Sequence, residues 1–162
     1  MIVAQARRPA FYASLGVPDT PAGRYEMVVI HLFLVLERLR AEGESDSPLP
    51  RLLVEAFIAD MDDSLREMGT GDLTVPKKVR RAATGLYERS IAYKAGLAAA
   101  DDTALAAALA EHVYVGVPGR HARALAAHVR STAGAFAART ARQMAEGDFS
   151  FSAVPTDATE AS

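Results

Sequence analysis

The chain has 162 residues, enough for one domain with a core of its own. Half of the residues are hydrophobic and 23% are charged, an ordinary globular balance, and a formal net charge of −2 excludes a nucleic-acid polycation. Without cysteine there is no disulfide framework, thiolate nucleophile or cysteine metal site, and without tryptophan little is available for stacking bases.

The start, MIVAQARRPAFYASLG, lacks the long apolar stretch and small-residue cleavage end of a signal peptide. Ile2 to Leu15 reads as a short amphipathic helix, kinked or broken at Pro9 and ended near Gly16. Val17 to Asp19 is a turn. Thr20 and Pro21 then form a cap and first-turn pair for a helix running to about Ala41. The middle of that helix, MVVIHLFLVL from Met27 to Leu36, is apolar on every face, so it belongs at the centre of a bundle. It is too short to span a bilayer, which takes about 20 apolar residues.

Ser47 and Pro48 repeat the cap-plus-proline start, for a third helix from about Leu49 to Met68. A fourth runs from about Pro76 to Ala98, with Val79, Ala82, Leu86, Tyr93 and Leu97 as its core stripe. Asp101 and Asp102 are cap candidates for a fifth, short helix ending near Tyr114. A sixth spans about Arg120 to Ala145, its inward stripe made of small residues. No strand pattern and no internal repeat is evident. The fold class is therefore all-α, a single compact bundle of five to six helices over residues 1–147, with 148–162 as a flexible tail.

The stretch the chain is organised around is Asp60 to Arg81, DMDDSLREMGTGDLTVPKKVRR. Asp60, Asp63, Ser64 and Glu67 fall on one helix face, and Asp62 can pair with Arg66 four residues on. Gly69 follows the last periodic apolar residue, where a left-handed conformation is expected. Thr74 is the cap candidate of the next helix, with Asp72 as competitor, and Pro76 lies in its first turn. Lys77 and Lys78 come at its start, where the helix dipole disfavours cations. Either the two charged faces pair across the hinge, or one is kept free for a macromolecular partner.

The chemistry is otherwise thin. His31 reads as a hydrogen-bonded core histidine, with no nucleophile or second base beside it in the sequence. His112, His121 and His128 are dispersed, and neither a His-Glu-x-x-His nor a Glu-x-x-His motif is present. Asp60 and Asp63 read as a solvated or ion-paired face rather than metal ligands. Gly116 to Gly119 has neither the lysine nor the preceding strand of a phosphate loop. No enzyme, metal or cofactor is expected.

Met61 to Val79, MDDSLREMGTGDLTVPKKV, resembles the most characteristic segment of the ubiquinol–cytochrome c chaperone family. Gly23 to Leu39, GRYEMVVIHLFLVLERL, is similar to that family too, as are Tyr87 to Leu97 and Leu105 to Tyr114. The similarity runs from about Phe11 to Val129. It implies an all-helical, non-enzymatic assembly factor for respiratory complex III, the cytochrome bc complex. Mitochondrial members bind newly made cytochrome b with a small partner subunit near the ribosomal exit. The resemblance is to a compact, bacterial-type member, in which their long N-terminal extension is not expected. This chain also reads Ala110, Glu111, His112 where the family tends to have Ala-Arg-Asn.

The expectation is a chaperone for cytochrome b, sheltering client segments in apolar grooves beside the central helix. Asp62, Asp63, Arg66, Glu67, Asp72, Lys77 and Lys78 are the candidate partner contacts. The ribosome or a small partner subunit are further expected partners, DNA is not, and the location is the cytoplasm with peripheral contact to the inner membrane. Two rivals stand: a small-ligand or haem-handling bundle using His31 or His112, and a ribosome- or RNA-binding adaptor using the basic helix start.

Overall fold

The structure, a computed structural model, describes residues 1–41, 47–67, 69, 71, 74–116 and 119–156, without the side chains of Ser64, Leu65 and Glu67. In chain order the helices are α1 (Ile2–Ala6), α2 (Pro9–Ala13), α3 (Pro21–Ala41), α4 (Leu49–Glu67), α5 (Val75–Ala98), α6 (Thr103–Val113), α7 (Arg120–Ala137) and α8 (Ala141–Glu146). Among the described residues there is no strand, so the all-α class stands. Among the described residues there are eight helices, where five to six were expected.

Both extra helices come from breaks. Arg8 is extended ahead of Pro9, whose missing N–H and fixed φ suit a first-turn position, so the first expected helix becomes α1 and α2. The last expected helix stops at Ala138 and restarts at Thr140. There Thr140 Oγ1 accepts the Gln143 N–H at 3.1 Å, and Gln143 Oε1 accepts the Thr140 N–H at 2.9 Å. This reciprocal capping box satisfies two amides that a helix start otherwise leaves orphaned.

The axis of the bundle is α3. Thr20 caps it, its hydroxyl accepting the Gly23 N–H at 3.1 Å. Every residue from Glu26 to Leu36 is buried, because α1, α4, α5, α6, α7 and α8 all pack around the helix. At roughly 1.5–3 kcal/mol for each large apolar side chain, this one helix supplies much of the driving force for folding.

α5 and α6 form a tight hairpin. At Gly96 a Cβ would lie 2.7 Å from Leu105 Cα, so only glycine permits this approach. Arg130 of α7 then closes the hairpin turn. Its guanidinium donates to the carbonyls of Leu97, Gly96 and Asp101 at 3.0, 3.1 and 2.9 Å and pairs with Asp102.

Residues 148–156, expected as part of a tail, run back over the bundle in an irregular path. Phe149 and Phe151 pack edge-on and tilted against Phe136, at centroid distances of 5.1 and 5.3 Å, and Val154 is buried. Ser14 Oγ donates to Thr156 O at 3.1 Å, tying this segment to the end of α2.

Candidate functional site: a charged corner beside an apolar groove

The corner forms much as its residues dictate. α4 ends at Glu67, and Gly69 takes φ +78°, its N–H donating to Arg66 O at 3.0 Å. Thr74 is the N-cap residue of α5 by position, but its hydroxyl caps no amide. It donates to Gly71 O at 2.9 Å, alongside the Thr74 and Val75 amides at 2.9 and 3.3 Å. One carbonyl therefore gathers three donors and turns the chain into α5.

Of the candidate contacts, Asp62 and Arg66 are brought together, with Arg66 Nε donating to Asp62 Oδ2 at 2.9 Å. Both remain well exposed, so the pair adds at most a few tenths of a kcal/mol, about 0.2–0.5. Asp63, Lys77 and Lys78 are exposed. Among the described residues no ion pair joins Asp60, Asp62 or Asp63 to Lys77 or Lys78. Asp72 and the Glu67 side chain lie outside the described residues.

Beside the acidic end of α4 opens a groove of about 480 Å³. Val28, Leu32, Val35 and Leu39 of α3 floor it, and Leu49, Leu53, Ala56 and Phe57 of α4 form one wall. The other wall comes from the chain ends: Met1, Ile2 and Val3, then Met144 and Phe149. Asp60 is the one carboxylate among these lining residues. The helix apolar all round thus has a flank that α4 and α8 do not close.

A second cleft, of about 550 Å³, lies between α3 and the first turns of α5. Lys78 and Arg81 rim it, and the Glu26–Arg89 ion pair forms its base. Arg89 Nε and Nη2 each donate to a different Glu26 oxygen, both at 2.6 Å, and the guanidinium lies over the Tyr25 ring at 5.6 Å. The Glu26 carboxylate holds Arg89 above its ordinary range. Tyr25 OH donates to Ala82 O at 3.0 Å, and burial raises its pKa.

His31 is a core histidine, as expected. Its Nδ1–H donates to Met27 O at 2.6 Å, which leaves Nε2 as a buried acceptor with no partner among the described residues. Phe11 and Phe151 stand edge-on to it, each at 5.1 Å. Burial lowers its pKa to about 4, the Met27 hydrogen bond opposes that, and His128 adds to it. His112 lies elsewhere, edge-on to Tyr93, and neither His31 nor His112 lines the apolar groove. Among the described residues no three His, Asp or Glu side chains converge as metal ligands, and no helix is long and apolar enough to cross a membrane.

Sequence reasoning missed the Glu26–Arg89 pair and the wall built from the chain ends. Nothing local signals the pair, whose members are 63 residues apart. The wall had a signal in the Thr140-x-x-Gln143 capping pattern and in Phe149 within a polar segment.

Fold and site together define an all-helical domain with an open apolar groove set against a charged corner. The chain belongs to the Ubiquinol-cytochrome C chaperone family, whose family model matches residues 13–151. It is similar to the crystal structure of the Cbp3 homolog from Brucella abortus, with a TM-score of 0.85 and 41% identity over 94% of this chain and 85% of that one. It is also 26% identical over 99 residues to ubiquinol-cytochrome c reductase complex assembly factor 1 of Mus musculus, covering 61% of this chain and 33% of that protein. The Xenopus laevis protein of the same name matches at 26% over 99 residues, 61% of this chain and 49% of its own length. The chain thus spans a third to a half of the length of these two animal relatives.

Proposed function

We propose that the domain is a non-enzymatic assembly factor for the cytochrome bc complex, and that it shelters an apolar segment of newly made cytochrome b in the groove beside α3. The observation that carries this reading is the groove itself. About 480 Å³ of open space bounded mainly by aliphatic and aromatic side chains suits an apolar helix laid along it. The names of the relatives, complex assembly factors, support the same reading. Asp62, Asp63, Arg66, Glu67, Asp72, Lys77 and Lys78 orient the client or a further protein partner at the groove's end. The work is done in the cytoplasm, close to the membrane into which such a client is inserted.

Ala56 gives the direct test, since it lines the groove yet is itself exposed. Ala56→Arg places a long cationic side chain in the groove, with a stability change of about 0.5 kcal/mol or less. Photo-crosslinking from the neighbouring position Leu53 in intact cells is expected to trap cytochrome b, and Ala56→Arg to abolish both that crosslink and complex III accumulation. Normal complex III with the groove filled would end the client reading.

A further inference from the structure

Along α5, Lys77, Arg80, Thr84, Tyr87 and Ile91 follow one another by alternate steps of three and four, which places them on a single stripe. All five are exposed, and Tyr87 and Ile91 keep 69% and 55% of their surface. The opposite side of the helix, with Val75, Leu86, Tyr93 and Gly96, faces the bundle. The outward stripe therefore meets solvent for about four turns.

Its chemistry is graded. The N-terminal half is basic, with Arg81 flanking Lys77 and Arg80. Among the described residues none of these three cations is held in an ion pair. Glu88 is the one carboxylate within α5 itself, and Lys94, just beyond Ile91, is engaged by Glu37 at 2.8 Å. The C-terminal half presents an aromatic ring with a polar tip, followed one turn later by a branched aliphatic.

We propose that this stripe seats α5 on the surface of a bilayer containing anionic lipid. The cations lie against lipid phosphates, the Tyr87 ring sits at the headgroup level, and Ile91 enters the edge of the acyl region. Charge complementarity and the order of residues single out this occupant. RNA would call for several stacking platforms, where the stripe has one aromatic. A stable protein interface would call for a wider apolar centre than two separated side chains. The seat shares Lys77 with the proposed partner surface, so its test varies only Arg80, Tyr87 and Ile91, and vesicle binding needs no client.

The test is co-sedimentation of the full chain with vesicles of phosphatidylcholine alone, and of equal parts phosphatidylcholine and phosphatidylglycerol. Binding is expected only to the anionic vesicles. Arg80→Gln should lower the partition coefficient about fivefold and Arg80→Glu about thirtyfold. Tyr87→Ser with Ile91→Ser should also weaken binding while leaving its salt dependence intact. All these residues are exposed, so circular dichroism should show the fold unchanged. Equal binding to both vesicle types, no binding to either, or wild-type binding by the variants would overturn the seat. So would tighter binding to polyuridylate than to anionic vesicles, which would assign the stripe to nucleic acid.

Discussion

Arg89 and Glu26 meet through two parallel hydrogen bonds of 2.6 Å each, 63 residues apart in sequence, at the base of the cleft between α3 and α5. Glu26 lies one position before the apolar run at the heart of α3. Its side chain is 6% exposed and that of Arg89 18%, so neither charge is well hydrated. Arg89→Ala should therefore cost about 3 kcal/mol, most of it from leaving the Glu26 carboxylate buried and uncompensated. Adding Glu26→Leu to that variant should recover much of the loss, because two apolar groups do not suffer the desolvation of one stranded charge. Urea denaturation of the wild type, both single variants and the double variant tests this. A double variant no more stable than Arg89→Ala would refute it.

Two glycines in helices should respond oppositely to alanine. At Gly96 the new methyl would press on the backbone of Leu105 at 2.7 Å, forcing α5 and α6 apart. That overpacking, about 1–3 kcal/mol, should outweigh the gain in helix propensity of about 1 kcal/mol. At Gly134, in the interior of α7, a Cβ meets nothing within 4 Å, so Gly134→Ala should stabilise by about 0.5–1 kcal/mol. Thermal melts of the two variants check the contrast.

Burial holds the His31 pKa at about 4 in the folded chain, below its ordinary 6.5. The unfolded chain therefore binds a proton at this position first as pH falls, and folding must forgo it. The contribution of His31 to stability is complete above about pH 6.5. It is lost progressively below that, by about 3 kcal/mol at pH 4. His128 is shifted in the same direction by its own burial and adds to the acid sensitivity. Carboxylates are remote from this decline if His31→Leu flattens the stability curve between pH 6.5 and 4 by about one proton's slope. An unaltered slope in that variant would assign the acid response elsewhere.

How far the sequence discloses this molecule depends on the range of each interaction. Helix starts are local events: Thr20–Pro21 and Ser47–Pro48 carry their caps with them, and Gly69 marks a chain reversal by its own conformational freedom. The burial of α3 follows from its all-round apolar composition. The restart at Thr140 was also local, yet the small-residue stripe running past it masks it. What pairs across distance is silent in one dimension. Nothing near Glu26 points to Arg89, and nothing near Arg130 points to the carbonyls of the α5–α6 turn. The groove is half legible, since α3 predicts an apolar floor. Its far wall depends on Met1, Met144 and Phe149, which show no long periodicity because they belong to no long helix.

Charge at the corner yields the sharpest separation of function from stability. Lys77 and Lys78 sit in the first turn of α5, where exposed amides already make the helix end positive. Replacing both by glutamate puts anions where the helix dipole favours them, and no ion pair among the described residues is lost. The double variant should therefore be as stable as the wild type or gain up to about 1 kcal/mol. If the corner orients a partner, as proposed, complex III should nevertheless fall in cells carrying Lys77→Glu and Lys78→Glu, as read on blue-native gels. A loss of complex III with an undiminished melting temperature is what a docking surface predicts and a structural ion-pair face does not. Wild-type levels of complex III would remove these two lysines from the partner surface, while leaving the groove to be judged by Ala56→Arg.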